Sequence, residues 1–86
     1  MTRLQEDKIF ASQELSLVAA LVSWGFPIFS VERSDPKRII FAFDNSPELQ
    51  DAVQDFWDDS GVVSPKKYFS ALREIKSRIY GGGNVA

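Results

Sequence analysis

Cysteine and histidine are both missing from the 86 residues of this chain. Without cysteine there is no disulfide framework, no thiol nucleophile and no thiolate metal site, and without histidine the commonest general base and metal ligand is gone. These absences point to a non-enzymatic protein with no cofactor. A long apolar run is also lacking: the stretch 15–31 is broken by Gly25 and Pro27 and falls short of the ~20 residues a membrane span requires. The opening "MTRLQEDKIF" is too polar for a signal peptide. Together these predict a cytoplasmic chain with no membrane partner. An excess of positive charge is missing too. Ten Lys and Arg stand against twelve Asp and Glu, net −2, so no global field draws in nucleic acid unless the charges are segregated.

What is present is 44% hydrophobic and 13% aromatic residues, enough to bury the core of one small domain. Residues 1–80 are expected to form that domain. Residues 81–86, opening with three glycines, read as a flexible Gly-rich tail.

Residues 8–11 suit a short first strand. Ser12 then stands where its hydroxyl would cap a helix from Gln13 to about Trp24, with Gly25 as its left-handed stop. Leu15, Leu17, Val18, Ala19, Ala20, Leu21 and Val22 cover most of that helix's circumference. Such a helix is buried on more than one side, within the domain or, as the alternative, partly in a homodimer contact. Two strands follow, 28–33 and 38–44. In the second, Ile39, Phe41 and Phe43 alternate with Ile40, Ala42 and Asp44, the period of a half-buried strand. For Phe29 and Val31 to share the face of Phe41, the loop must hold an odd number of residues, such as Asp35-Pro36-Lys37.

"NSPELQDAVQDFWDD" opens with Ser46 as cap and Pro47 at the first helical position. Leu49, Ala52, Val53, Phe56 and Trp57 follow at amphipathic spacing and predict a packed face. After a loop at 60–63, Ser64 and Pro65 repeat the same start for a last helix ending near Tyr80. The fold class is α+β, in the order α-β-β-α-α with a short strand allowed in front. Because an isolated hairpin is barely stable in water, three helices are expected to cover one face of the antiparallel hairpin.

The segments "SWGF", "IIFAFDNSPEL", "DFW" and "YFSALREIKSRIY" resemble those of a family of small uncharacterised domains found in bacteria and their phages. The resemblance spans residues 10–80. It implies a compact cytoplasmic domain, an accessory of a phage or mobile element, and no established activity or functional residue.

Three constellations remain. Glu74-Ile75-Lys76 looks like the acidic-x-Lys element of metal-dependent nucleases, but on a helix residues i and i+2 lie about 200° apart and cannot share a metal. Asp51, Asp55 and Asp58 line one face of the acidic helix with Asp59 beside them. A hard cation wants six to eight oxygens drawn from several elements, so this reads as a solvated stripe. On the last helix, Tyr68, Leu72, Ile75 and Ile79 make the core stripe, while Phe69, Arg73, Lys76 and Tyr80 fall on one flank, with Lys66 at its start. Aromatics interleaved with cations can anchor a protein or stack bases. The plainer alternative is that Phe69 and Tyr80 widen the core stripe while Arg73 and Lys76 lay their stems over it.

Lys66 and Lys67 in the first turn of this helix, and Asp58 and Asp59 in the last turn of the preceding one, each oppose the helix dipole. They are expected to offset one another as ion pairs, which takes both lysines out of the binding surface. Residues 46–59 carry five acids and no base, and residues 64–80 five bases and one acid. The expected function is therefore a small interaction domain whose site is Phe69, Arg73, Lys76 and Tyr80, binding a protein or nucleoprotein partner. Weak direct binding of nucleic acid through the same helix is the alternative.

Overall fold

The computed structural model describes residues 8–35 and 37–81. In chain order the elements are β1 (Ile9–Ser12), α1 (Leu15–Ser23), β2 (Ser30–Asp35), β3 (Arg38–Asp44), α2 (Pro47–Trp57) and α3 (Pro65–Lys76), and α3 runs on into one wider π-helical turn, Ser77–Gly81. This is the expected α+β order, with the short first strand realised. The N-terminal residues 1–7, Pro36 and the tail beyond Gly81 lie outside the described residues.

Both Ser-Pro steps begin helices. The Ser46 hydroxyl accepts the Leu49 N–H at 3.0 Å, and the Ser64 hydroxyl accepts the Lys67 N–H at 3.4 Å, each satisfying a donor that the first helical turn leaves free. Ser12 behaves differently from expectation. It is the last residue of β1, and its hydroxyl accepts the Glu14 N–H at 3.0 Å. Pairing with β3 holds Ser12 in the sheet, so α1 starts two residues later than Gln13 and has no side-chain cap.

Helix α1 stops as foreseen at Gly25, whose φ is 102°. Phe26 N–H bonds to the Leu21 carbonyl and Gly25 N–H to the Val22 carbonyl, both at 3.0 Å, the paired bonds of a Schellman stop. Helix α2 ends with the same pair, Ser60 to Asp55 at 2.9 Å and Asp59 to Phe56 at 3.2 Å. Here the left-handed position is filled by Asp59, at φ 63°. A side chain in that conformation costs about 1–2 kcal/mol, which glycine avoids, and an anion also sits badly at a helix C-terminus. Asp59→Gly is therefore expected to stabilise the domain by roughly 0.5–1 kcal/mol after glycine's entropy cost, a rise of several degrees in a thermal melt. An unchanged or lower Tm would show that the Asp59 side chain contributes more than its strain costs.

The sheet order is β1-β3-β2, antiparallel throughout. Val31 pairs with Phe41, so these two share a face as the alternation requires, whereas Phe29, expected beside them, lies ahead of β2 and is 59% exposed. The parity arises by another route. Asp35 pairs with Arg38, leaving two residues in the turn, and an irregularity between Glu32 and Asp35 supplies the extra residue. A bulge of this kind restores the register that an even loop alone would invert.

Phe41 and Phe43 on the inner face join Leu17, Val18, Leu21, Leu49 and Ile75 in a fully buried cluster. Helix α1 supplies five consecutive buried residues, Leu17, Val18, Ala19, Ala20 and Leu21. It packs against both α2 and α3, and those two have little contact with each other. This is the central burial expected of a helix apolar on most sides. Along α2 burial fades from Leu49, fully buried, to Trp57, 60% exposed. Trp57 was expected in the packed face. It instead meets the Phe56 ring edge-on, with centroids 5.0 Å apart, because the C-terminal end of α2 runs out of core to cover it.

Candidate functional site

The flank of α3 follows from what the core takes. Ala71 and Ile75 are buried, and Tyr68, Leu72 and Ile79 pack against the core from the same side. That turns positions 69, 73, 76 and 80 outward. Phe69 is 63% exposed and Tyr80 77% exposed, with Arg73 and Lys76 exposed between them. The aromatic residues therefore do not widen the core stripe. Phe69 makes only an edge contact with Tyr68, centroids 6.5 Å apart. Among the described residues, the Arg73 and Lys76 side chains have no hydrogen bond or ion pair. The structure brings all four residues to one surface.

The π turn over Ser77–Gly81 advances less per residue than an α-helix and so keeps Tyr80 turned toward the side of Lys76. A fifth residue reaches this end from the sheet. The Arg33 side chain donates to the Ile79 carbonyl at 3.2 Å, a cation at the negative end of a helix, and so adds positive charge next to Tyr80. Sequence reading missed it, since 46 positions separate the partners. Arg78 is engaged elsewhere, bonding Glu74 one turn back at 3.5 Å. Glu74 and Lys76 stand on a helix, where they face away from each other as argued.

The expected ion pairs between the α2 and α3 ends do not form. No ion pair joins Asp58 or Asp59 to Lys66 or Lys67 among the described residues. The physical reason is the intervening α1, which keeps α2 and α3 from packing as an antiparallel pair. Lys66 and Lys67 line a separate groove of ≈ 300 Å³ with Val22, Ser23, Ser70 and Glu74. Asp58 accepts a bond from Gln54 at 3.1 Å.

On the opposite side, Glu48, Asp51 and Asp55 of α2 line a groove of ≈ 470 Å³ with Trp24, Ala52 and the loop residues Ser60, Gly61 and Val62. These carboxylates do not converge. Among the described residues, no three Asp, Glu, His or Cys side chains are grouped closely enough to hold a metal ion. Nor is any described helix long and apolar enough to cross a membrane.

Trp24 ties this groove to the fold. Its indole N–H donates to the Val62 carbonyl at 2.8 Å, and its ring lies so close to Gly61 that a methyl group there would stand 2.6 Å from Cη2 and Cζ2. The molecule thus carries two chemically opposite surfaces on either side of α1, one aromatic and basic, one aromatic and acidic. Comparison with curated proteins and with solved structures gives no match. Residues 7–81 do match a known family, over nearly the stretch in which the resemblance was read, and the chain accordingly belongs to the Domain of unknown function family DUF5659.

Proposed function

We propose that this is a non-enzymatic interaction domain that docks a protein or nucleoprotein partner through the outer flank of α3. The observation that carries the reading is the pair of aromatic side chains standing 63% and 77% exposed, Phe69 and Tyr80, beside the unengaged cations Arg73 and Lys76. Aromatic and Arg anchors of this kind dominate binding energy where partners desolvate them. Their exposure leaves both rings open to be desolvated by a partner. The resemblance to domains of bacteria and their phages supports a cytoplasmic accessory protein of a phage or mobile element.

The test is quantitative affinity capture with the intact domain and with Phe69→Ala/Tyr80→Ala. Because both side chains are exposed, the double variant is expected to keep its melting temperature, surface changes costing at most ~0.5 kcal/mol each. Loss of two anchors worth ~2 kcal/mol each is expected to lower partner recovery by well over tenfold. Equal recovery of the same partner by both proteins would refute the docking surface.

Direct nucleic-acid binding is the second reading, favoured by Arg33 joining Arg73 and Lys76 at one end of the helix. Nonspecific affinity scales with the phosphates neutralised, and three cations are few. Salt-sensitive anisotropy of a labelled oligonucleotide, lost in Arg73→Ala/Lys76→Ala, would transfer the function to nucleic acid.

A further inference from the structure

Beneath the loop joining α2 to α3 lies a cavity of ≈ 190 Å³ lined by Trp24, Phe56, Tyr68, Ala20, Val63, Gly61 and one carboxylate, Asp59. We propose that it is a binding site for an alkylated ammonium group, the cation presented by a methylated lysine of a partner protein. Its walls come from α1, α2 and α3, and three of them are aromatic. Ring faces carry negative charge density and attract a cation, most strongly one whose alkyl groups make it weakly hydrated. The volume is several times the ~30 Å³ share of one water molecule, room for a methylated ammonium head.

Each ring is held in place by contacts of its own. Trp24 is fixed by the Val62 carbonyl and the Gly61 backbone. Phe56 and Tyr68 pack against the core, and the Tyr68 hydroxyl donates to the Ser16 carbonyl at 3.5 Å. Such rigid walls avoid the ordering cost of assembling a site on binding.

Charge points the same way. Asp59 lines the cavity, is itself exposed to solvent and adds a negative charge to the site. It holds a backbone conformation that favours glycine, and Asp55, Asp58 and Asp59 crowd the C-terminal end of α2, whose last turn holds no basic residue. Anions at the negative end of a helix weaken the helix and strengthen the field felt by a cation. Violations of local rules of this kind collect at functional sites. The acidic groove bearing Glu48, Asp51 and Asp55 shares Trp24 and Gly61 with the cavity, and is positioned to take basic residues flanking the modified lysine.

Only the protein source of the ammonium rests on the docking function proposed above. The site itself is tested with tetramethylammonium chloride, titrated at constant ionic strength into a Trp57→Phe protein in which Trp24 is the sole tryptophan. A saturable change in Trp24 fluorescence is expected, with at least tenfold weaker response to neutral tert-butanol. Asp59→Asn tolerates the left-handed conformation and is expected to melt no lower than the parent while binding on the order of tenfold more weakly. Absence of saturation, equal binding of the neutral compound, or unchanged affinity in Asp59→Asn would each overturn the site.

A second arm compares Arg-flanked peptides carrying trimethyllysine or lysine. Tighter binding of the trimethylated peptide than of tetramethylammonium supports the protein source. If the peptide gains nothing over the free cation, that source fails. Tyr80→Ala, which removes an α3 anchor with no contact to the cavity's rings, is expected to leave tetramethylammonium binding unchanged, so failure of the α3 surface and failure of the cavity are distinguishable.

Discussion

Phe41→Ala is expected to take about 3–5 kcal/mol from the stability of the domain. Phe41 is 0% exposed in the middle of the central strand, paired with Ser12 on one side and Val31 on the other. Truncating a buried Phe costs about 3–5 kcal/mol, the lost transfer energy plus the cavity left behind. A chain of 86 residues has a stability on the order of 4–13 kcal/mol, so this one change removes between a quarter and all of it. Phe29→Ala is the matched control, since Phe29 is 59% exposed and its loss is expected to cost at most ~0.5 kcal/mol. Urea denaturation followed by circular dichroism measures both. A Phe41→Ala protein within about 1 kcal/mol of the parent would mean that the inner face of β3 is not the core.

That core was legible because the signals for it are local. Alternation in β3 identifies the inner face from seven consecutive residues, and each Ser-Pro step marks a helix start within two. What escaped reading depends on competition between elements. Ser12 has the chemistry of a helix cap, yet pairing with Phe41 keeps it in the sheet, and no local preference registers that cost. That Val31 and Phe41 share a face was read correctly, but the turn between β2 and β3 was given an odd length where it holds two residues, because a bulge and an odd loop have the same effect on which face a side chain reaches. Trp57 shows the limit of periodicity. The stripe it belongs to is real, but a stripe says which side is apolar and not how far along the helix the core extends.

The candidate surface was legible in the same partial sense. Spacing puts Phe69, Arg73, Lys76 and Tyr80 on one flank, but whether that flank is core margin or solvent depends on how α1 and the sheet fill the other side. Arg33 and the cavity beneath the loop were out of reach. Trp24 caps the end of α1 while Phe56 and Tyr68 lie on α2 and α3, and no motif links them. The misplaced charges at the adjoining ends of α2 and α3 were noticed, but their explanation as mutual ion pairs required the two helices to be neighbours. With α1 between them, Asp58 bonds Gln54 and Asp59 lines the ring-walled cavity instead.

Gly61→Ala is expected to be the most damaging small change outside the core, and its cause can be isolated. The new methyl carbon would stand 2.6 Å from two carbons of the Trp24 ring, a distance at which something must move. Because Trp24 is tied to the Val62 carbonyl in the same loop, the ring cannot withdraw without giving up that bond. Overpacking of this sort costs about 1–3 kcal/mol, and the lost bond about 1 more. Gly25→Ala offers a contrast. Nothing lies within 4 Å of its added carbon, so its cost comes from the backbone alone, at φ 102°. A double-mutant cycle separates the two mechanisms. In a Trp24→Phe background the colliding indole carbons are gone, and the Gly61→Ala penalty is expected to fall by at least half, while the Gly25→Ala penalty persists. Equal penalties for Gly61→Ala in both backgrounds would mean that the glycine serves the loop's own conformation. Trp24 would then be positioned by the Val62 bond alone, and the cavity it walls would be correspondingly looser.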